Sequence, residues 1–135
     1  MNFLKYLLGD EKIRNRVVDG RTTGFTLHLR YPNYRGMYLG YITDIRVDVD
    51  GVPHNGDAIA VTFKSGTFTL AEMRSCGFTR WNYGEAGEVF VRLPGGLADG
   101  PHRIEAGILS RGYLGTHGEY VGGFRDIVVE KGAEK

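Results

Sequence analysis

Hydrophobic and polar residues alternate along much of this chain, and the alternation predicts β-strands. The clearest stretch is 24–31, where every second residue is a large apolar one: Phe25, Leu27, Leu29 and Tyr31. Successive side chains of a strand point to opposite faces, so we predict a strand that buries one face and exposes the other. Pro32 lacks a backbone N–H and ends the regular pairing.

Further segments show the same two-residue period between turn residues. Strands are predicted at residues 13–18, 42–50, 58–63, 67–70, 87–93, 102–109 and 124–129. The dipeptides Asp19-Gly20, Asp50-Gly51 and Ser65-Gly66 are typical of tight hairpin turns. Residues 70–75 have a helix-like composition that suffices for one or two turns. The pattern predicts an antiparallel β-sandwich or barrel of about eight or nine short strands with at most one short helix.

Length and composition limit the number of domains and the kinds of partner that we expect. We predict a single domain over 1–135, with 1–12 and 131–135 peripheral. The 21 glycines among 135 residues are spread through the chain, about twice the usual ~7% share, and read as turn positions. A net charge of +1 with interspersed signs gives no long-range field for nucleic acid or an anionic membrane.

Two features predict a cytoplasmic protein. Cys76 is the single cysteine, so no internal disulfide forms, which is consistent with a reducing compartment. The opening residues 1–12 have a short apolar run, interrupted by charge, and no small-residue cleavage pattern. They do not read as a signal peptide or a membrane span.

The candidate chemistry is weak throughout. His117 and Glu119 form the best ligand pair, but two ligands fall short of the usual three or four, so no metal site is expected on this chain. Glu85 and Glu88 could form an acid–base pair, but the favoured interpretation is that they are solvated charges in turns. Cys76 has two arginines near it in sequence, which can lower a thiol pKa, although a buried, inert thiol is the favoured interpretation.

Tyrosine and arginine give the positive signal. Four tyrosines fall within eleven positions, together with Arg35: Tyr31, Tyr34, Tyr38 and Tyr41. Both residue types are enriched at protein interfaces. We predict that Tyr31 and Tyr41 cover the core, while Tyr34, Arg35 and Tyr38 form an exposed surface, either a partner interface or a wall of an active site.

A second aromatic–cationic pair gives secondary candidates. Trp81 is the single tryptophan and follows Arg80. The favoured prediction is a core tryptophan with Arg80 on the opposite face of its strand. Arg80, Trp81 and Tyr31 remain secondary candidates for the binding surface.

Several short motifs in order resemble one known family. They are Arg14-Asn15, Gly24-Phe25, Tyr34-Arg35-Gly36-x-x-Leu39, Arg80-Trp81-x-x-Gly84-Glu85 and Pro94-Gly95-Gly96-Leu97-x-x-Gly100-x-His102. Their order and spacing resemble the small β subunits of bacterial C-glycoside deglycosidases over roughly residues 3–130.

The resemblance implies an all-β sandwich that binds a larger α subunit. That partner is expected to have a sugar isomerase-like barrel, to hold a divalent metal (expected to be manganese), and to join a higher-order α/β assembly. This chain is expected to hold no cofactor. Together the subunits would cleave the carbon–carbon bond of 3-oxo-C-glycosides with flavonoid-type aglycones.

Two other functions stay open. A free-standing carbohydrate-binding sandwich could use the tyrosines to stack on sugar rings. An accessory subunit of another isomerase- or epimerase-like barrel fits the same residues.

Overall fold

The computed structural model describes residues 13–31, 36–77, 79–82, 84–110 and 121–129. These residues form eleven strands and one helix: β1 (Arg14–Val18), β2 (Arg21–Arg30), β3 (Met37–Tyr38), β4 (Ile42–Val49), β5 (Val52–His54), β6 (Ile59–Phe63), β7 (Gly66–Thr69), α1 (Leu70–Arg74), β8 (Arg80–Trp81), β9 (Ala86–Arg92), β10 (Gly100–Ser110) and β11 (Val121–Val129). The all-β prediction is confirmed. Two strands have only two residues each, and the other nine match the expected number.

The strands form two main antiparallel sheets and a small ribbon. The five-stranded sheet has the order β1-β2-β9-β6-β7, and the four-stranded sheet has the order β11-β10-β4-β5. Strands β3 and β8 form a two-stranded ribbon. Because β9 lies between β2 and β6, the five-stranded sheet depends on pairings between distant parts of the sequence.

The inward faces of both main sheets contribute to one hydrophobic core, as in a β-sandwich. Phe25, Leu27 and Leu29 of β2 are fully buried, as the alternation predicted. Ile45 and Val47 of β4 meet them from the other sheet within the same cluster. Burying a side chain of this size stabilises the fold by about 1.5–3 kcal/mol, so the alternating pattern is also the main source of stability.

The predicted hairpin turns are confirmed. Asp19 and Gly20 connect β1 to β2 with φ angles of 50° and 75°, and Asp50 and Gly51 connect β4 to β5 with 50° and 85°. Positive φ at both central residues is the geometry that matches the twist of paired strands. The β6–β7 hairpin is also present, with Gly66 as the first residue of β7 rather than as a turn residue.

Helix α1 occupies the predicted helical segment. Thr69 accepts a hydrogen bond from the backbone N–H of Glu72 at 3.1 Å, while the Glu72 side chain accepts one from the N–H of Thr69 at 2.9 Å. This reciprocal capping box satisfies donors that the first turn leaves open. Among the described residues, no helix has the length and apolar content needed to cross a lipid bilayer.

The sandwich has two distinct ends. At one end β2 finishes, β4 begins and β10 finishes; we call it the tyrosine end. There the hydroxyls of Tyr31 and Ser110 lie 2.7 Å apart in a buried contact. The other end carries the turns at Asp19-Gly20 and Asp50-Gly51 and the start of β10, and we call it the histidine end because His102 lies there.

Candidate functional site

The ribbon of β3 and β8 at the tyrosine end brings Tyr38 and Arg80 side by side. Met37 pairs with Trp81 and Tyr38 pairs with Arg80, so alternation turns Trp81 towards the core and Arg80 towards solvent. The Arg80 guanidinium carbon lies 4.9 Å from the centre of the Tyr38 ring, a cation–π distance. The predicted division between a buried Trp81 and an exposed Arg80 is confirmed.

Tyr41 completes this surface. Its ring centre lies 6.0 Å from that of Tyr38, with an interplanar angle of 72°, which is the edge-to-face arrangement that aromatic pairs favour. Tyr41 is 44% exposed. We call Tyr38, Tyr41 and Arg80 the tyrosine surface.

The prediction that Tyr41 covers the core is wrong, and the local backbone gives the reason. Residues Leu39–Tyr41 form a 3-10 turn instead of continuing the strand alternation. In such a turn residues three apart share a side. Leu39 and Ile42 are accordingly both fully buried, and Tyr41 points outward.

Packing beneath the tyrosine surface holds the ribbon in place. The Trp81 ring lies 5.0 Å from the Phe63 ring and 5.7 Å from the Tyr31 ring. Its Nε1–H donates to the carbonyl of Glu85 at 2.8 Å, so the buried indole nitrogen is satisfied. The backbone N–H of Leu39 donates to Thr79 at 2.7 Å.

Gly36 allows the two strands of the ribbon to approach. Its φ is +68°, and a Cβ there would overlap the Trp81 carbonyl oxygen and lie 3.2 Å from an Arg80 guanidinium nitrogen. Only glycine combines this backbone conformation with the missing side chain.

The structure thus sorts the predicted site residues into three groups. Tyr38, predicted to be exposed, is half-buried and lies beside the exposed secondary candidate Arg80. Tyr31 and Trp81, also secondary candidates, are 1% and 0% exposed; they are core side chains that support the surface from below. Tyr34 and Arg35 lie outside the described residues. Tyr41 was missed as a surface residue, and the Leu-Gly-Tyr turn before a strand was the available signal.

The two glutamates weighed as an acid–base pair are used for internal contacts. Glu85 accepts hydrogen bonds from the backbone N–H groups of Lys64 and Asn82, both at 3.2 Å. Glu88 pairs with Arg16 at 3.1 Å and lies 3.8 Å from His28 Nε2. Each carboxylate therefore fixes neighbouring strands or loops.

Of the cysteine and metal candidates, only the cysteine lies within the described residues. Cys76 is partly buried against the core, and its thiol donates to the carbonyl of Glu72 at 3.2 Å. His117 and Glu119 lie outside the described residues. In the described ranges no three His, Cys, Asp or Glu side chains are placed to hold one metal ion.

Comparison with known proteins identifies the family. A family model described as the C-glycoside deglycosidase beta subunit matches residues 3–112. The chain belongs to this family. A protein named C-glycoside deglycosidase beta subunit, from Eubacterium cellulosolvens, is 34% identical over 100 residues, which cover 74% of this chain and 67% of the relative. Membership in a β-subunit family implies a partner subunit.

Several residues that carry the family resemblance hold this β-subunit chain together. The Asn15 side chain donates to the Leu97 carbonyl at 3.1 Å and accepts from the Leu97 N–H at 2.8 Å. This pair of bonds fastens β1 to the loop before β10. Gly96 leaves room for it, since a Cβ there would lie 2.5 Å from Asn15 Oδ1.

His102, the last residue of these motifs, joins the loop before β10 to the β4–β5 turn. Its Nδ1 lies 2.7 Å from an Asp50 carboxylate oxygen, and its Nε2 lies 2.6 Å from the Ala98 carbonyl oxygen. Both neighbours are acceptors, so the ring satisfies them fully only when both nitrogens carry protons. The bond to Asp50 first, and the bond to Ala98 second, raise the pKa of His102 above its usual 6.5.

The pKa of Asp50 is shifted in the opposite direction. The backbone N–H of Arg103 donates to its carboxylate at 2.8 Å. This bond first, and the bond from His102 second, lower the pKa of Asp50 below its usual 3.8. We call Asp50 and His102 the His–Asp latch; it belongs to the histidine end and lies away from the tyrosine surface.

Proposed function

We propose that this chain is the accessory, non-catalytic β subunit of a heteromeric C-glycoside deglycosidase, with the catalytic base and a divalent metal on a larger barrel-shaped α subunit. Membership in the β-subunit family is the observation that carries the proposal. The proposal is also supported by the side chains of Glu85, Glu88 and His102, which could otherwise act as acids or bases. Each is held in a hydrogen bond or an ion pair with another part of this chain.

The reaction explains what the partner has to supply. A C-glycoside has no bridging oxygen, so protonation of a leaving oxygen by a two-carboxylate glycosidase does not apply. In a 3-oxo sugar the ketone acidifies the C2 proton, which a base can remove before the aglycone leaves as its carbon is protonated. A divalent metal would supply positive charge for the developing enolate. We assign these tasks to the α subunit.

We further propose that the tyrosine surface contacts the α subunit, either as an interface or as part of the active-site wall. Tyrosine and arginine dominate interface hot spots because they bury a large area and also offer hydrogen-bonding groups. The Tyr38–Arg80 stack and the Tyr38–Tyr41 pair order these side chains in advance, which lowers the entropic cost of binding. The motif residues Tyr34 and Arg35 are proposed to belong to the same contact.

Co-expression with the α subunit tests the proposal. We expect the two chains to co-elute in size-exclusion chromatography, and the complex to release the aglycone from a 3-oxo-C-glycoside while this chain alone does not. Turnover by the isolated chain would show that it carries its own catalytic groups and would contradict the proposal.

The pairing of the half-buried Tyr38 with the exposed Tyr41 also favours one alternative, a stand-alone carbohydrate-binding module. Aromatic rings at a surface can stack on sugar faces. Titration of the isolated chain with a glycan panel, followed by tyrosine fluorescence, separates the two functions. Saturable binding that Tyr38→Ala abolishes favours the alternative, whereas no binding without a partner favours the β-subunit function.

A further inference from the structure

Although the net charge of the chain is small, the outer faces of the two main sheets carry charges of opposite sign. The outward positions of the five-stranded sheet carry four arginines and one glutamate among the described residues: Arg14, Arg16, Arg30, Arg92 and Glu88. Where the structure describes the side chains, the outward positions of the four-stranded sheet carry four carboxylates and two arginines: Asp44, Asp48, Glu105, Asp126, Arg46 and Arg103. One face of the sandwich is therefore basic and the other is acidic.

At the centre of the basic face, an arginine stacks on an aromatic ring. Arg16, Gly24 and Arg92 lie in one row across β1, β2 and β9. A Cβ at Gly24 would overlap the Val91 carbonyl oxygen and would lie 2.9 Å from the edge of the Phe90 ring. The Arg16 guanidinium carbon lies 4.6 Å from the centre of the Phe90 ring. Gly24 thus leaves room both for the backbone of β9 and for the Phe90 ring on which Arg16 stacks.

The arginines of this region keep donors directed to solvent. One Arg16 nitrogen bonds Glu88 at 3.1 Å, and both side chains are more than a third exposed. Arg14 and Arg92 are exposed and make no ion pair within the described residues. We call Arg14, Arg16, Phe90 and Arg92 the arginine face.

We propose that the arginine face binds an acidic surface of the α subunit, as a second contact separate from the tyrosine surface. The inference rests on the proposed function. The row through Gly24 lies towards the histidine end of β2, whereas the tyrosine surface lies beyond its other end at Arg30. Arginine forks pair with carboxylates in fixed geometry, and a pre-stacked guanidinium loses little freedom on binding.

The charges favour the α subunit over a second copy of this chain. A second copy would have to offer the acidic outer face of its four-stranded sheet. Two carboxylates of that face are already engaged: Asp48 accepts two bonds from Arg46 at 2.7 and 3.1 Å, and Asp44 accepts from Asn55 at 2.8 Å and from the Gly56 N–H at 3.1 Å. A self-contact would have to compete with these bonds.

The test compares two charge reversals in the co-expressed complex. The double variant Arg14→Glu/Arg92→Glu removes no internal ion pair among the described residues and reverses the charge of the arginine face. The control Arg103→Glu makes one such substitution on the opposite sheet, at an arginine stacked 3.8 Å from the Phe124 ring centre. Circular dichroism and thermal melting establish that each variant folds.

We expect the double variant to weaken binding to the α subunit by about tenfold or more at low salt, as measured by biolayer interferometry. The salt dependence of its affinity should be shallower than that of the wild type, and Arg103→Glu should bind like the wild type. Equal affinities of the double variant and the wild type would overturn the inference and leave the proposed function standing.

Loss of self-association, with unchanged α-subunit binding, would assign this face to a second copy instead. If the wild-type chain formed no complex with the α subunit, both this inference and the proposed function would be contradicted.

Discussion

The guanidinium of Arg80 stacks on the ring of Tyr38 across a ribbon of only two residue pairs, at 4.9 Å from the ring centre. Neither residue would be held there by the short ribbon alone. Trp81 on the adjacent position is fully buried, so the core fixes the backbone that presents Arg80. The tyrosine surface is thus an extension of the hydrophobic core.

The first prediction concerns this stack. Tyr38→Ala and Arg80→Ala should each weaken the complex with the α subunit by about tenfold, as is typical of interface hot spots. In a double-mutant cycle the two changes should be coupled by about 0.5–1 kcal/mol, because each removes the same cation–π contact.

Arg103→Ala is the matched control, since it removes an arginine from an equivalent stack on the four-stranded sheet. It should leave affinity for the α subunit unchanged. Wild-type affinity in both Tyr38→Ala and Arg80→Ala would place the interface elsewhere on the chain.

The second prediction concerns Gly36 and folding stability. Gly36→Ala places a Cβ against the Trp81 carbonyl at a φ of +68°, so strain adds to steric overlap. We expect a loss of about 2–4 kcal/mol in the free energy of unfolding, measured with urea. Gly20→Ala has a similar φ of +75° but nothing within 4 Å of the new Cβ, and should lose only about 1 kcal/mol. Equal losses in the two variants would show that the ribbon relaxes around the added methyl group.

The strand alternation made much of this fold predictable. The inward faces of β2, β4, β9 and β10 follow from the two-residue period, and the positive-φ turns follow from Asp-Gly dipeptides. These features depend on neighbours in sequence. Tyr41 lies between the predicted strands, in the 3-10 turn at Leu39–Tyr41, so the two-residue period gave no guide to the side on which it lies.

The candidate site was less predictable, because it is formed by long-range pairing. Nothing near Tyr38 in sequence indicates that Arg80 lies beside it, or that Trp81 supports both from below. The insertion of β9 between β2 and β6 is equally non-local. The contact between Asp50 and His102 also joins a hairpin turn to a distant strand, and local pattern carries no signal for it.

The third prediction concerns the pH dependence of the His–Asp latch. The raised pKa of His102 stabilises the fold below the usual histidine value of 6.5, and this contribution is lost as pH rises through the raised value. The lowered pKa of Asp50 stabilises the fold above the usual aspartate value of 3.8, and this contribution is lost as pH falls through the lowered value. The latch should therefore be strongest between pH 3.8 and pH 6.5.

Asp50→Asn tests this window. The stability difference between wild type and variant should be largest between those two values, and should shrink as pH rises past the pKa of His102. Thermal melts across pH, with an NMR titration of the His102 ring, measure both quantities. A difference that does not change with pH would show that the contact between Asp50 and His102 does not depend on their charges.

The fourth prediction concerns the clamp between Asn15 and Leu97. Asn15→Ala removes both hydrogen bonds to the Leu97 backbone and leaves its N–H and C=O groups without these partners. We expect a loss of about 1–3 kcal/mol in the free energy of unfolding. Asn82→Ala, at an exposed position, is the control and should change stability by less than about 0.5 kcal/mol. Equal stability of the two variants would show that water replaces the clamp.

Release of aglycone from a 3-oxo-C-glycoside, measured in parallel for this chain, for the α subunit and for their purified complex, tests the central claim most directly. If this chain is the accessory subunit, the complex cleaves the substrate faster than the α subunit alone, and this chain alone gives no product. Product formed by the isolated chain, or an α subunit that neither binds this chain nor gains activity from it, would contradict the account.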